Sequence, residues 1–162
     1  MKEIKYKPIG IIHSPFGEPK GTPIQSTAAD GIDGIIELFP EFAEGIEDIE
    51  GFSHIILIYH FHLSKKSLLK VKPYMDNKLR GVFSTRVPSR PNSIGISIVR
   101  LIKVEENKLY VKDIDVVDGT PLLDIKPYVP EFDIKNVEKI GWLKKNVDKL
   151  NTIKDDGRFV NK

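Results

Sequence analysis

The stretch 53-SHIILIYHFHL-63 is the most apolar part of this 162-residue chain. Its nearly continuous run of apolar side chains predicts a β-strand that is buried on both faces, as in the middle of a sheet. The amino acids that follow it are polar and basic, so we expect the strand to end near residue 63 and to be followed by a loop.

Shorter strands are predicted on both sides of this central strand. They cover the opening segment as far as Ile12, then residues 34–39, 81–85, 94–104 and 109–117. The turn 105-EENK-108 is expected to join the last two into a hairpin. Because the pattern predicts little helix between the strands, a mainly parallel sheet is disfavoured. We therefore predict a mainly β protein, built as a small antiparallel or mixed β-barrel.

Two helical elements accompany the predicted barrel. Residues 40–51 place apolar side chains at helical spacing and predict a short helical element. Residues 137–150 repeat the same spacing and predict a C-terminal helix, with Asn136 as its N-cap. The chain from Thr152 onward is polar, and we expect it to fray.

The composition is that of one domain without disulfides. The length fits a single domain, in which residues 1–130 are expected to form the barrel and residues 131–162 the C-terminal helix and tail. The chain contains no cysteine, which excludes disulfides and thiolate metal sites. No apolar run reaches the roughly 18 residues of a membrane span, and the N-terminus lacks the apolar core of a signal peptide. We therefore predict a cytoplasmic protein that does not bind membranes.

The segment 84-STRVPSRPNSIG-95 is unusually rigid and cationic for a connection between strands. Arg86 and Arg90 can each bind a carboxylate or phosphate through two hydrogen bonds. The prolines restrict the backbone, Asn92 offers both a donor and an acceptor, and Gly95 permits a close approach of the chain. These features predict a preorganised pocket for a small charged molecule. The alternative is a stiff turn whose arginines pair with the acidic segment 37–50.

Three histidines and a group of aspartates offer weaker signals. His54, His60 and His62 share one face of the predicted central strand, which is compatible with a metal site but more typical of structural or ligand-contacting histidines. We predict no metal site. The aspartates of 113-DIDVVDGTPLLD-124 surround an Asp-Gly turn signal, where they can pair with the arginines or hold a polar group of a ligand.

Five segments together carry a family resemblance. In chain order they are 8-PIGIIHSPF-16, 22-TPIQ-25, 44-EGIEDIEGFSHIILIYHFH-62, 81-GVFSTRVPSRPNSIGISIVRL-101 and 115-DVVDGTPLLDIKPYVP-130. This string resembles the TrmO family, also called TsaA-like or YaeB-like. One departure is Ser93, which stands where the family usually has a second proline. The resemblance implies a small β-barrel that binds S-adenosylmethionine, forms a homodimer, and methylates N6 of threonylcarbamoyladenosine beside the tRNA anticodon.

The resemblance also implies roles for individual residues. The positions expected to bind the cofactor are Pro23, Ile24, Gln25, His62, Leu63, Arg86, Ile96, Lys112, Asp113, Ile114 and Asp115. The polar positions expected to face the substrate are Arg90, Asn92, Asp118 and Thr120. We expect the first three of these to be catalytic, and the Asp118 carboxylate or a backbone carbonyl to accept the proton. Two alternatives stay open, namely a regulatory S-adenosylmethionine-binding module and a structural protein.

Overall fold

The computed structural model describes residues 2–160 and is dominated by one closed β-barrel. Six strands form the barrel in the order β1-β2-β7-β6-β3-β8, and every neighbouring pair is antiparallel. Two very short strands, β4 and β5, pair with each other outside it. The strands are β1 (Gly10–His13), β2 (Asp33–Leu38), β3 (His54–His60), β4 (Lys70–Val71), β5 (Arg80–Gly81), β6 (Ile94–Glu105), β7 (Lys108–Lys112) and β8 (Thr120–Pro127). The predicted fold class, a mainly β antiparallel barrel, is confirmed.

The barrel interior is filled by apolar side chains from every barrel strand. Along β3, Ile55, Leu57 and Tyr59 are buried and point inward. Ile56 and Ile58, on the other face, are only half-buried. Like every strand of the closed barrel, β3 pairs with a neighbour on each side, here β6 and β8, and the predicted burial on both faces is wrong. A closed barrel has one packed interior, so only alternate side chains of each strand enter it.

The predicted hairpin is confirmed, with a shorter second strand. The hairpin joins β6 to β7, and Glu105 pairs with Lys108 across the turn. The second strand ends at Lys112 rather than at residue 117, because Asp113 adopts a left-handed backbone with φ of 70°. This turn redirects the chain, so that the following residues cross the end of the barrel instead of extending its wall.

The strand predicted at residues 81–85 is wrong for most of its length. Only Gly81 belongs to a strand, and Val82–Ser84 form a 3-10 turn. Val82 is buried in a small second core with Val71 and Val87. The backbone turns inward to bury Val82, which is incompatible with a continued strand.

The helical elements are shorter than predicted. The expected element at residues 40–51 consists of the 3-10 helices Pro40–Ile46 and Ile49–Gly51, and a further 3-10 turn spans Ser26–Ala28. The only α-helix among the described residues is α1, Pro130–Asp133. None of the helices between residues 2 and 160 has the length and apolarity that crossing a bilayer requires.

The predicted C-terminal helix from Asn136 to Leu150 is wrong. Two 3-10 helices, Gly141–Lys145 and Val147–Lys149, stand in its place. Gly141 has a φ of 59°, which interrupts any α-helix. The helical spacing of apolar residues reflects no buried face there, since Val137 is 67% exposed.

The polar tail, expected to fray, instead returns to the barrel as far as the structure describes it. The backbone N–H of Gly21 donates to the Asp155 carbonyl at 2.7 Å, and the Asp155 N–H donates to the Thr22 carbonyl at 2.9 Å. Pro23 and Lys154 form a bridge beside these bonds. Residues 161 and 162, which the same expectation covered, lie outside the described residues.

Candidate functional site

A cavity of about 390 Å³ lies at one end of the barrel. It is placed where β3 ends and where β6 and β8 begin, and loops and the tail complete its walls. Cavities of this size are typical of small-molecule sites. Its lining from the barrel end and the loops includes Pro23, Ile24, Gln25, Tyr59, Phe61, His62, Leu63, Tyr74, Thr85, Arg86, Arg90, Asn92, Ile94, Gly95, Ile96, Asp115 and Thr120.

The arginine-rich segment forms one wall of this cavity. Arg86 donates a hydrogen bond from Nη1 to the side-chain oxygen of Gln25 at 3.0 Å. Arg90 donates from Nη1 to the Thr85 carbonyl at 3.0 Å and more weakly to the Val87 carbonyl at 3.4 Å. Arg86 therefore joins this segment to the loop that contains Gln25, whereas Arg90 stabilises the segment itself. None of these bonds pairs an arginine with the acidic segment 37–50, which was the alternative raised by the sequence.

The floor of the cavity carries a partly buried hydrogen-bond chain. The Tyr59 hydroxyl lies 3.0 Å from Ser97 Oγ, which donates to the carboxylate of Asp115 at 2.5 Å. Burial raises the pKa of Asp115 to about 7, although the bond from Ser97 and the charge of Arg86 act in the opposite direction. Burial also raises the pKa of Tyr59, and the Asp115 charge adds to this. Asp115 is thus a carboxyl that changes its charge close to neutral pH, within a ligand-sized cavity.

The three histidines of the apolar stretch have separate environments. His62 lines the cavity beside Leu63, and burial lowers its pKa, with a further lowering by His60. His60 is exposed on the outer face of β3. His54 Nδ1 lies 3.0 Å from Ser53 Oγ at the far end of the strand. Within residues 2–160, no three or more His, Asp or Glu side chains are grouped as a metal site requires.

Not all of the predicted site residues line this cavity. Lys112 forms an ion pair with Asp33 at 2.8 Å, and Ile114 is fully buried in the barrel core. Asp113 Oδ1 accepts a hydrogen bond from the Gly31 N–H at 2.8 Å. Their roles in cofactor binding stay predictions.

Asp118, the predicted proton acceptor, is exposed at the barrel end. Its Oδ1 accepts a hydrogen bond from the Ser14 N–H at 3.1 Å and lies 3.6 Å from His13 Nδ1. It does not belong to the described lining of the cavity, whereas Thr120, two residues later, does.

Sequence reasoning missed the contribution of the tail. Asp155, Phe159 and Val160 line the cavity, facing Tyr74. The Phe159 and Tyr74 rings pack edge to face with centroids 5.0 Å apart. Backbone hydrogen bonds at Asp155 hold the start of this segment and leave no pattern in the side chains. Only the side chains of Arg158 and Phe159, which contact the Tyr74 loop, offered a signal.

A second, larger cavity of about 840 Å³ adjoins the first. It lies between the outer face of β6, at Ile96 and Ile98, and the 3-10 helices at residues 141–149. The Trp142 indole N–H donates to the Ser84 carbonyl at 2.8 Å and holds this segment in place. Arg86 and Gln25 line both cavities, so they lie at the boundary between them.

The fold and the site together define a small closed barrel with a ligand-sized cavity built from loops at one end. Residues 11–134 match the tRNA-methyltransferase O N-terminal domain family, and the chain belongs to that family. The resemblance seen in the sequence motifs is thereby confirmed.

Known relatives extend this match. The chain is 63% identical over 156 residues to a probable S-adenosyl-L-methionine-binding protein of Pyrococcus abyssi, covering 96% of this chain and 85% of that protein. It is 36% identical over 134 residues to the human tRNA (adenine(37)-N6)-methyltransferase, covering 78% of this chain but 30% of the human protein.

Among solved structures, the crystal structure of TrmO from Pseudomonas aeruginosa is similar, with a TM-score of 0.73 and 38% identity. The match covers 87% of this chain and 63% of that chain. The chain therefore spans a little under two thirds of the solved protein, and the fold of the shared part is the same.

Proposed function

We propose that this protein is an S-adenosylmethionine-dependent tRNA methyltransferase that acts on N6 of threonylcarbamoyladenosine beside the anticodon. The family match supports the enzyme class. The name of the human relative supports adenine 37 of tRNA and its N6 atom as the target, and the name of the Pyrococcus relative supports the cofactor. The threonylcarbamoyl group is included in the proposed substrate because of the resemblance of the motifs.

One observation carries the proposal. Residues from distant parts of the chain, expected from the motifs to bind the cofactor, line a single cavity. They are Pro23, Ile24, Gln25, His62, Leu63, Arg86, Ile96 and Asp115. Such convergence of separate motif positions is what a binding site requires, and a merely structural role would not require it.

The side chains of the cavity fit the chemical groups of the cofactor. S-adenosylmethionine combines an apolar adenine face with a ribose, a carboxylate, an ammonium and a sulfonium. Ile94 and Ile96 offer apolar surface to a ring. Arg86 offers donors to a carboxylate, and the Asp115 carboxylate attracts a positive charge.

When bound, the cofactor supplies a methyl group activated by the positive sulfur. The target nitrogen belongs to a urea-like group and is a weak nucleophile, so its placement in line with the methyl group supplies much of the rate. Arg90 and Asn92 are proposed to position the substrate from the cavity wall. The nitrogen must also lose a proton, which requires an acceptor within hydrogen-bond reach.

We assign the proton acceptor to Asp115 in preference to Asp118. The Asp115 carboxyl lines the cavity and has its pKa raised to about 7, which suits a base that works near neutral pH. The Asp118 carboxylate is engaged with Ser14 and His13 outside the lining. Asp118 then stabilises the turn that presents Thr120 to the cavity.

A basic surface next to the cavity supports tRNA as the partner. The exposed lysines of residues 65–78 are Lys65, Lys66, Lys70, Lys72 and Lys78. Tyr74, in the same segment, lines the cavity. Lysines in this position can bind the phosphates on either side of the target nucleotide. Binding should therefore weaken as the salt concentration rises.

The homodimer and the cytoplasmic location are further parts of the proposal. Beyond the first cavity, the outer face of β6 exposes Ile98 and Ile102 by 38% and 49%. Exposed apolar residues in a row support an interface with a second copy of the chain.

Transfer of labelled methyl from S-adenosylmethionine to tRNA tests the proposal. The tRNA comes from cells that lack this protein, with and without the threonylcarbamoyl modification. Label in the modified tRNA alone is the expected result. Label in both would retain the methyltransferase and remove the requirement for the threonylcarbamoyl group. No label in either, with cofactor binding intact in calorimetry, would instead favour the regulatory module.

A further inference from the structure

The tail contributes to the cavity although it lies outside the matched family domain. The family match ends at residue 134, whereas Asp155, Phe159 and Val160 line the cavity. Backbone hydrogen bonds between Asp155 and the pair Gly21 and Thr22 hold the tail against the loop that continues into Pro23. The tail is therefore part of the same wall as the predicted cofactor loop.

Arg158 binds the tail to the loop that contains Pro73 and Tyr74. Its Nη1 donates to the Pro73 carbonyl at 3.1 Å, and its guanidinium lies over the Tyr74 ring, 5.3 Å from the centroid. Its Nε bonds to the Asp156 carboxylate at 2.9 Å. These contacts fix the position of the tail relative to Tyr74, as a binding site requires.

Two polar groups face each other where the tail meets this loop. The Tyr74 hydroxyl is buried and faces the Asp155 carboxylate, but it forms no hydrogen bond of good geometry in the described part of the chain. Asp155 Oδ1 accepts one bond from the Gly157 N–H at 2.7 Å, which leaves most of the acceptor capacity of the carboxylate unused. Burial raises the pKa of both groups. The Asp155 carboxylate further raises the pKa of Tyr74 through its charge and through hydrogen bonding, whereas the Tyr74 hydroxyl acts against the rise at Asp155.

A buried hydroxyl without a partner is uncommon in proteins and calls for an explanation. Both groups line the cavity, so a ligand in the cavity can provide the missing bonds. The ligand group must donate to a carboxylate and also exchange a hydrogen bond with a phenol. Two neighbouring hydroxyls meet both requirements.

We propose that Asp155 and Tyr74 bind the ribose 2′- and 3′-hydroxyls of the nucleoside cofactor. This inference rests on the proposed function. The cofactor is favoured over the target nucleotide as the source of the two hydroxyls, because the 3′-oxygen of a nucleotide within an RNA chain is esterified to phosphate. One hydroxyl donates to the Asp155 carboxylate, and the other bonds to the Tyr74 hydroxyl.

The test uses S-adenosylhomocysteine and its 2′,3′-dideoxy analogue in titration calorimetry on the full chain. The variants are Asp155→Asn and Tyr74→Phe, each of which removes one polar interaction with little change of shape. Asp148→Asn is the control, because it removes an exposed charge near the C-terminus outside both cavities. Tryptic cleavage after Arg158 reports whether the tail stays docked.

For S-adenosylhomocysteine we expect Kd to rise by about 10-fold in each site variant, with the control unchanged. For the dideoxy analogue, the wild type and both variants should bind alike, because no hydroxyl remains to be lost. Equal losses for both ligands would overturn the inference, and so would unchanged binding in the variants. If Asp155→Asn loosens the tail, the Tyr74→Phe variant decides, since Tyr74 lies outside it. Wild-type protein that binds neither ligand would overturn the proposed function itself.

Discussion

The Arg86 guanidinium bonds to the side-chain oxygen of Gln25 at 3.0 Å, although 61 positions separate the two residues. The bond connects the proline-containing segment 84–95 to the loop that runs from Thr22 through Gln25. Both residues lie where the two cavities meet. This bond therefore helps to set the shape of the cavity that we propose for the cofactor.

Replacing Arg86 by lysine should weaken cofactor binding by about 10-fold while leaving the melting temperature nearly unchanged. Lysine keeps the charge but loses the planar set of donors, and the exposed site contributes little to folding stability. Calorimetry with S-adenosylhomocysteine and a thermal melt measure the two effects. Arg100→Lys, an exposed residue of β6 outside both cavities, is the matched control. Equal affinity of the two variants for S-adenosylhomocysteine would show that Arg86 does not contribute to cofactor binding.

Replacing Asp115 by asparagine should lower kcat for methyl transfer by roughly 10²–10⁴-fold, as expected for the loss of a general base. The amide can still accept the bond from Ser97, so the cavity should keep its shape. Asp118→Asn, a matched change outside the cavity lining, should alter kcat only a few-fold. Single-turnover kinetics with saturating cofactor separates this effect from binding. A severe loss in Asp118→Asn alone would return the role of proton acceptor to Asp118, as the sequence predicted.

The same Asp115→Asn variant should be more stable than the wild type at pH 8. The folded-state pKa of Asp115 is raised from 3.8 to about 7, so between these values the folded state binds more protons than the unfolded state. The wild type therefore loses stability as the pH rises through this window. A difference of one in pKa corresponds to about 1.4 kcal/mol, and screening of the half-buried carboxyl reduces the total to the order of 2 kcal/mol.

Urea unfolding of the wild type and Asp115→Asn at pH 5 and pH 8 checks this expectation. The stabilisation by asparagine should be larger at pH 8 and should shrink at pH 5. A stabilisation that is independent of pH would show that the carboxyl is not protonated in this range in the folded state.

Gly95→Ala should destabilise the fold by about 1–3 kcal/mol, as overpacking of a core does. A Cβ at this position would meet the Tyr59 ring and would lie 2.8 Å from Phe61 Cζ. These rings pack edge to face and line the cavity, so cofactor affinity should fall as well. Gly45→Ala is the control, because no heavy atom lies within 4 Å of its Cβ. Urea unfolding that shows equal stability for the two variants would contradict the expectation.

The sequence predicted the barrel well because strand alternation and turn residues act locally. The β6–β7 hairpin is an example, since its turn lies between two apolar segments that are adjacent in the chain. The helix predicted at residues 137–150 does not form, for a physical reason. Helical spacing predicts a helix only when one face is buried, and Val137 and Ile140 are exposed by 67% and 44%.

The candidate site was predictable only in part. The motif resemblance pointed to Gln25, Arg86 and Asp115, which line one cavity. It could not find Tyr74 or Asp155, because these meet through backbone pairing of the tail. Any sequence without proline can make such backbone bonds, so no residue pattern predicts them.

The packed apolar interior of the barrel has a consequence for engineering the ligand preference of this protein. Each barrel strand is hydrogen-bonded on both sides, and the packed core ends below the cavity. Loops and tail supply most of the cavity lining, while the framework beneath them can stay constant. Transplanting residues 18–25, 84–93 and 151–160 together from a homologue should therefore carry its ligand preference into this scaffold, whereas moving any one segment alone would leave mismatched walls.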